Sequence, residues 1–136
     1  MSYDLNGKVV LITGAARGIG FAVAQAAHSR GASVALVDLD QTIVAESARV
    51  VGSRAIGIGA NVADRAQIEL AFERAIEQFG RVDVVVANAG IAPETTSTRT
   101  IPADEWERVI EVNLYGVWRT VRAGMDQVVA NGGHFV

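Results

Sequence analysis

The sequence of 136 residues predicts a doubly wound α/β fold, in which helices cover both faces of a parallel β-sheet. Short apolar runs rich in β-branched residues alternate with segments whose apolar residues recur at helical spacing. The runs are continuously apolar rather than alternating, which is typical of strands buried on both faces. A composition of 50% hydrophobic and 20% charged residues indicates one globular domain with a substantial core.

The first half of the chain contains three predicted strands and two predicted helices. The strand over 8–13 (KVVLIT) is β-branched and bounded by glycines, and the helix over 19–30 carries small and apolar residues at helical spacing. A second apolar strand covers 33–39 (SVALVDL), and a second helix covers 42–51 (TIVAESARVV). The third strand, over 53–62 (SRAIGIGANV), is weakened by its glycines.

The second half begins with a helix over 65–79, whose apolar residues recur at intervals of three and four. Asp64, with Gln67 three residues later, is typical of a capping box at the start of this helix. Trp106 and Trp118 fall in a later long helix, where we expect them to fill the core or a subunit interface. A fourth strand is predicted over 82–88, the long helix over 103–129 and the start of a fifth strand over 132–136.

The composition excludes several classes of function. A net charge of -3 without any basic cluster provides no surface for nucleic acid. The chain has no cysteine, and its two histidines, His28 and His134, are far apart, so no metal site is predicted. The polar start lacks the apolar core of a signal peptide, and no apolar run is long enough to span a membrane. We therefore expect a cytoplasmic protein.

Ligands of doubly wound sheets bind beyond the carboxyl ends of the strands, where the winding direction reverses. The strand-to-helix loops all lie along that edge. The candidate site therefore consists of the residues that follow Thr13, Asp38, Ala60 and Val86.

Three glycines, Gly14, Gly18 and Gly20, separate the first strand from the first helix in the stretch LITGAARGIGFAV. A helix start exposes unpaired N–H groups and a partial positive charge, which attract phosphate when no side chain intervenes. Gly14 allows the chain to turn tightly as it leaves the strand. Gly18 and Gly20 allow the backbone to approach the ligand and the helix to approach the sheet. The alternative is a turn that needs glycine for its conformation alone. An ATPase-type phosphate loop is excluded, because no Gly-Lys-Ser/Thr follows.

Asp38 lies at the carboxyl end of the second strand, eighteen residues after Gly20. A carboxylate at this position can accept hydrogen bonds from both hydroxyls of an adenosine ribose and repels a 2′-phosphate, which predicts NAD rather than NADP. Arg17 has the opposite effect, because a cation in the loop can pair with a 2′-phosphate. Asp40 is an alternative carboxylate, although it lies beyond the strand and is better placed to open the next helix.

Three motifs in this order resemble those of the short-chain dehydrogenase/reductase family. They are TGAARGIG over 13–20, ANAG over 87–90 and VNLYG over 112–116. The resemblance covers the whole chain, and it implies a Rossmann-like sheet with strand order 3-2-1-4-5. It also implies that residues 1–136 are the NAD(P)-binding, amino-terminal portion of a longer enzyme of this family.

The resemblance further implies which residues contact the cofactor. Asn61 and Val62 stand where the family usually has Asp-Val beside the adenine, and the amide oxygen of Asn61 can still accept from the adenine amino group. Asn88 would lie against the ribose and tie the fourth strand to its neighbours. The implied cofactor contacts outside the glycine loop and Asp38 are Ile19, Leu39, Asn61, Val62, Asn88, Ala89 and Gly90.

Asn113 corresponds to the family's catalytic asparagine, whose main-chain carbonyl holds a water molecule in the proton relay. The alternative is that Asn113 is a buried polar group that disturbs its own helix. In this family a serine polarises the substrate carbonyl, and a tyrosine transfers the proton, assisted by a lysine four residues later. No such set occurs here, since Lys8 is the only lysine and Tyr115 is followed by Arg119 at that spacing.

We therefore expect the parent protein to be an NAD-dependent oxidoreductase that transfers a hydride between the nicotinamide and an alcohol or carbonyl substrate. The resemblance implies a homo-oligomer, and the 136 residues alone are predicted to be inactive. Two alternatives remain open at this point: a non-catalytic dinucleotide-binding module and a methyl-donor-dependent transferase. The polar loop over 94–100 is predicted to be either a lid over substrate or a mobile connection. Three arginines of the long helix are predicted either to form a solvated helix face or to donate salt bridges between subunits: Arg108, Arg119 and Arg122.

Overall fold

A computed structural model describes residues 3–94 and 97–136 of the chain. The structure contains five strands, which form one parallel sheet. The strands are β1 (Val9–Thr13), β2 (Ser33–Asp38), β3 (Ala55–Gly59), β4 (Val84–Val86) and β5 (His134–Phe135). Their order in the sheet is β3-β2-β1-β4-β5, which confirms the predicted topology.

The central strand sets the register of the sheet. Leu11 of β1 lies opposite Ala35 of β2 on one side and Val85 of β4 on the other. All of β1 is buried, as its uninterrupted apolar sequence predicts for a strand covered on both faces. The third and fourth strands are shorter than predicted at both ends, because the flanking residues belong to the loops at the two edges of the sheet.

Helices connect the strands and cover the two faces of the sheet. The α-helices are α1 (Gly18–Ser29), α2 (Gln41–Val51), α3 (Arg65–Phe79), α4 (Ala103–Ile110) and α5 (Gly116–Ala130). A π-helical segment, Glu111–Tyr115, joins α4 to α5, so the predicted long helix is continuous but contains one wide turn. Within residues 3–94 and 97–136, no helix has both the length and the apolar character needed to cross a bilayer.

Two hydrophobic layers hold these elements together. Val10 and Ile12 of β1 pack in the layer beneath α1 and α2, whereas Leu11 packs in the layer beneath α3 and α5. The period-2 alternation of a strand thus distributes β1 between both layers. On the α3 and α5 side, Gly124 lets Phe72 approach closely, since a Cβ at Gly124 would lie 2.8 Å from Cε1 of Phe72.

A buried carboxylate anchors the amino-terminal edge of the sheet. Asp83, just before β4, is fully buried and accepts a 2.9 Å hydrogen bond from the N–H of Val9. Its charge is balanced by the Arg81 guanidinium and by Nζ of Lys8 at 3.6 Å. The ion-paired carboxylate of Asp83 therefore links the starts of β1 and β4.

The two tryptophans of the long helix do not fill the core, which was one of the two positions expected for them. Trp106 and Trp118 are 52% and 56% exposed, so neither fills the core of this chain. Apolar periodicity identified the helix but not which of its large residues face the sheet. The loop over 94–100, predicted to be a lid or a mobile connection, includes residues 95 and 96, which lie outside the described part of the chain.

Candidate functional site

The structure contains a cleft of about 700 Å³ at the carboxyl edge of the sheet. Its walls come from the loops after β1, β2, β3 and β4 and from one side of the α4 helix and the π-helical segment. These are the loops at which the fold class places a ligand. A cleft of this size is in the range of small-molecule and cofactor sites.

Most of the predicted cofactor residues lie together in this cleft. Gly18 and Ile19 instead begin α1 on the exposed surface, and Gly20 is buried behind the loop. Asn113 lies outside the lining, in the π-helical segment. The predicted residues that line the cleft are Gly14, Arg17, Asp38, Leu39, Asn61, Val62, Asn88, Ala89 and Gly90.

The three glycines of the first loop serve different purposes. Gly14 has a φ of +65°, and a Cβ there would lie 2.8 Å from Cα of Ala89. Gly20 packs even more closely, since its Cβ would lie 2.5 Å from the carbonyl oxygen of Gly14. Gly18, with a φ of +62°, has open space where a Cβ would be. Two of the glycines therefore allow close packing, and Gly18 keeps the helix start accessible.

The start of α1 has no capping side chain and no acidic residue in its first turn. The next two helices differ: Asp40 accepts hydrogen bonds from Thr42 N and Ile43 N at the start of α2, and Asp64 accepts one from Gln67 N at the start of α3. Asp40 is therefore a helix cap, as predicted for it in preference to a ligand-binding role. The uncapped N–H groups and the helix dipole make the start of α1 a place for an anion.

The loop between β1 and α1 is held from both sides at Ala16. Its N–H donates to Oδ2 of Asp38 at 2.9 Å, and its carbonyl accepts from the hydroxyl of Ser47 at 2.8 Å. The other carboxylate oxygen of Asp38 accepts from the N–H of Leu39 at 2.8 Å. Each oxygen of a carboxylate can accept more than one hydrogen bond, so Asp38 retains capacity for hydroxyl donors in the cleft.

Arg17 lies in the same cleft as Asp38. Its side chain is exposed, and it forms no ion pair with any residue of the described part of the chain. The geometry thus places both the carboxylate that would repel a 2′-phosphate and the cation that would attract one beside the same space.

Asn88 ties the end of β4 to the glycine loop. Its Nδ2 donates to the carbonyl oxygens of Thr13 at 3.0 Å and Gly14 at 3.1 Å. The N–H of Ala89 in turn donates to Oγ1 of Thr13 at 3.1 Å. The link between the fourth strand and its neighbour, which the family resemblance implied, is present in these bonds.

The turn after β3 uses Asn61 and Gln67 in an unexpected way. The Oδ1 atom of Asn61 accepts from the N–H of Ala63 at 2.9 Å, which leaves one lone pair on the oxygen expected to receive an adenine amino group. Oε1 of Gln67 accepts from the N–H of Asn61 at 3.0 Å rather than from the N–H of Asp64. The predicted capping box is therefore only half formed: Asp64 caps α3, and Gln67 closes the preceding turn.

Asn113 fixes the loop after β4 through two reciprocal hydrogen bonds. Its Oδ1 accepts from the N–H of Ile91 at 2.8 Å, and its Nδ2 donates to the carbonyl oxygen of Ile91 at 2.8 Å. The residue is exposed rather than buried, but it lies within the π-helical segment, so the helix around it is irregular, as the alternative interpretation expected. A π-helical turn displaces carbonyl groups from their regular i→i+4 partners.

Sequence reasoning missed the wall of the cleft formed by the later helix. Helical periodicity in the segment over 103–129 does not reveal which turn approaches the sheet edge, although the motif over 112–116 lies beside it. Arg119, one of three arginines expected on a solvated face or between subunits, instead pairs with Glu111 of this wall within the chain. The lining residues that were not predicted are Val37, Ala60, Ala63, Ile91, Glu107, Arg108, Glu111 and Val112.

Comparisons with known proteins identify the family of this chain. The model of the short chain dehydrogenase family matches residues 8–136. The L-rhamnose 1-dehydrogenase (NAD(P)(+)) of a Sphingomonas species is 42% identical over 94% of this chain and 52% of its own length. The (-)-trans-carveol dehydrogenase of Rhodococcus erythropolis is 36% identical over 97% of this chain and 54% of its own length.

A similar solved structure is that of the 3-ketoacyl-(acyl-carrier-protein) reductase from Brucella melitensis complexed with NADH. It has a TM-score of 0.90 and 34% identity, over 94% of this chain and 53% of that one. The chain thus spans about half the length of the relatives that it matches. Because the family model matches nearly the entire sequence and the fold has the predicted strand order, this chain belongs to the short-chain dehydrogenase/reductase family.

Proposed function

We propose that this chain binds a nicotinamide dinucleotide in the cleft at the carboxyl edge of its sheet, and that it prefers NAD to NADP. The observation that carries the proposal is the start of α1, which lacks both a capping side chain and an acidic residue. Four N–H groups at a helix start need partners, and a pyrophosphate supplies oxygen acceptors and negative charge together. The open space at Gly18 leaves room for it.

The other parts of a dinucleotide match neighbouring surfaces. Asp38, adjacent to the loop through Ala16, has carboxylate capacity for the two hydroxyls of the adenosine ribose. The negative charge of Asp38 also repels a 2′-phosphate on that ribose. The guanidinium of Arg17 is exposed and can move away from the ribose. The NADH bound to the Brucella reductase supports a cofactor of this type.

For a protein that carries this chain as its amino-terminal half, we propose hydride transfer between the cofactor and an alcohol or carbonyl substrate. The nicotinamide supplies the hydride chemistry, and the protein supplies orientation and proton transfer. Of the described residues, Asn113 is proposed to act at the proton relay through its main-chain carbonyl, within the irregular helix turn. The dehydrogenase names of the relatives support this class of reaction.

Residues 1–136 are proposed to bind the cofactor without turning over substrate. The chain contains a single lysine, Lys8, which lies next to Asp83 at the amino-terminal edge of the sheet, opposite the cleft. It therefore has no lysine to assist a tyrosine in the proton transfer. We further propose that the parent protein is a homo-oligomer, and the exposed side chains of Leu114, Tyr115 and Trp118 on one helical segment support an interface there.

Calorimetric titration of the chain with NADH and with NADPH tests the proposal. We expect saturable binding of NADH and weaker binding of NADPH. Replacing Asp38 with alanine should weaken NADH binding and narrow the difference between the two nucleotides, because the repelling carboxylate is lost. An exposed glutamine remote from the cleft, Gln78, provides the control variant Gln78→Ala. Absence of NADH binding by the folded chain would overturn the proposal.

A further inference from the structure

The third strand, which the sequence predicted to be weakened by its glycines, forms an edge of the sheet. It pairs with β2 on one side, and no strand of the described part of the chain lies on its other side. The N–H of Ala60, just after β3, donates to the carbonyl oxygen of Asp38 in β2. Because alternate residues of a parallel strand bond to the same neighbour, the N–H and C=O groups of Gly57 and Gly59 point to the free side.

The side chain of Gln41, the first residue of α2, bonds to this free side. Its Nε2 donates to the carbonyl oxygen of Gly57 at 3.1 Å, and its Oε1 accepts from the N–H of Gly59 at 2.7 Å. A residue of a parallel strand makes the same two bonds, because its N–H and its C=O bond to two residues of the neighbouring strand that are two positions apart. The amide of Gln41 therefore takes the place of one residue of an added parallel strand.

The glycines of β3 allow Gln41 to reach the edge. A Cβ at Gly57 would collide with the carbonyl group of Val44 in α2, and a Cβ at Gly59 would lie 2.9 Å from Cβ of Gln41. The helix thus lies directly against the backbone of the strand. Glycine lowers the preference of these residues for a strand, but it brings the Gln41 amide within bonding distance.

The strand β3 lacks the usual protection of an edge strand. Proteins protect such strands with charged side chains, with proline or by keeping the strand very short, because an open edge is a template for pairing with another chain. The sequence of β3, AIGIG, has no charge and no proline, whereas the strand at the opposite edge, β5, has only two residues. We propose that Gln41 is an edge cap, which keeps a second copy of this chain from adding its own β3 to the sheet.

Sedimentation equilibrium of three variants separates an open edge from a loss of stability. Gln41→Ala removes both bonds and leaves the edge uncharged, so its self-association should be at least about tenfold stronger than that of the wild-type chain. Gln41→Lys also leaves the N–H of Gly59 without its acceptor, but it places a cation at the edge, so it should associate no more than the wild type. Gln78→Ala removes an exposed amide from α3 and is the matched control, which should behave like the wild type.

Amide hydrogen exchange at Gly59 shows where the copies meet. In dilute Gln41→Ala the N–H of Gly59 should exchange faster than in the wild type, and at high concentration its protection should return, because a second strand supplies an acceptor. Equal self-association of Gln41→Ala and the wild-type chain would overturn the inference. Stronger association of both Gln41→Ala and Gln41→Lys would also overturn it, since lost stability would then be the cause. Association without renewed protection of Gly59 would place the contact elsewhere, with the same consequence.

Discussion

The hydroxyl of Ser47, in α2, donates a 2.8 Å hydrogen bond to the main-chain carbonyl of Ala16, in the loop that follows β1. Ser47 is nearly inaccessible to solvent, and it also bonds to the carbonyl of Ile43 within its own helix. A residue outside the glycine motif thus helps to hold the loop proposed to bind pyrophosphate.

Replacing Ser47 with alanine is expected to weaken NADH binding about three- to tenfold and to lower the free energy of unfolding by about 1–2 kcal/mol, because the Ala16 carbonyl loses a partner. Calorimetry and urea denaturation measure the two effects. Ser29→Ala, which removes an exposed hydroxyl bonded to Ala26, serves as the control and should change neither value. Unaltered NADH affinity in Ser47→Ala would show that this bond does not position the loop.

Alanine at Gly18 and alanine at Gly20 should both destabilise the chain, but for different reasons and to different extents. Gly18→Ala places a Cβ in open space at a φ of +62°, so it should cost roughly 1–2 kcal/mol of stability and strongly reduce NADH binding. Gly20→Ala would place a Cβ 2.5 Å from the Gly14 carbonyl oxygen, so it should lose at least about 2 kcal/mol despite the better helix propensity of alanine. Thermal unfolding and NADH titration of both variants test the contrast. Equal stability of the two would contradict it.

Asn113→Ala is expected to release the loop after β4, since both hydrogen bonds to Ile91 disappear. Amide hydrogen exchange at Ile91 should accelerate, because its N–H loses its acceptor, while exchange in the buried strand β1 should stay unchanged. Gln78→Ala, an exposed substitution on α3 remote from this loop, is the control. Equal protection of the Ile91 N–H in variant and wild type would contradict the role assigned to the side chain.

Asp83→Ala should lower the free energy of unfolding by about 2–3 kcal/mol, because the buried N–H of Val9 and two basic groups lose their shared partner. Urea denaturation gives this value. Glu46→Ala is the comparison: a hydrogen bond from Arg49 lowers the pKa of Glu46, but both side chains are exposed, so no measurable loss of stability is expected. A similar result for the two variants would contradict the anchoring role of Asp83.

Much of the fold was predictable because the strands depend on local sequence. The uninterrupted apolar run of β1 and the caps Asp40 and Asp64 were recognised from their immediate neighbours, and the structure has them. The half-formed capping box was not predictable, because Gln67 lies near two N–H groups, those of Asn61 and Asp64. The geometry of the turn places the N–H of Asn61 in bonding position.

The candidate site was predictable only where strands end. Residues after β1, β2, β3 and β4 reach one edge of any parallel sheet, which is why Asp38 was identified from its place in the sequence. Asn88 was identified only through the family resemblance. The wall that includes Glu107 and Val112 depends on how far one helix is rotated about its axis, and the wide turn over Glu111–Tyr115 alters that rotation. The contacts of Ser47 with the loop are likewise tertiary and leave no pattern in the sequence.

The anchor at Asp83 and the cleft at Asp38 lie at opposite ends of the same strands. Combinatorial libraries confined to the residues of the cleft would therefore leave the buried ion pairs of Asp83 unchanged. Many variants at Arg17 and Asp38, the residues proposed to act on cofactor preference, could be screened before losses of foldability dominate the outcome.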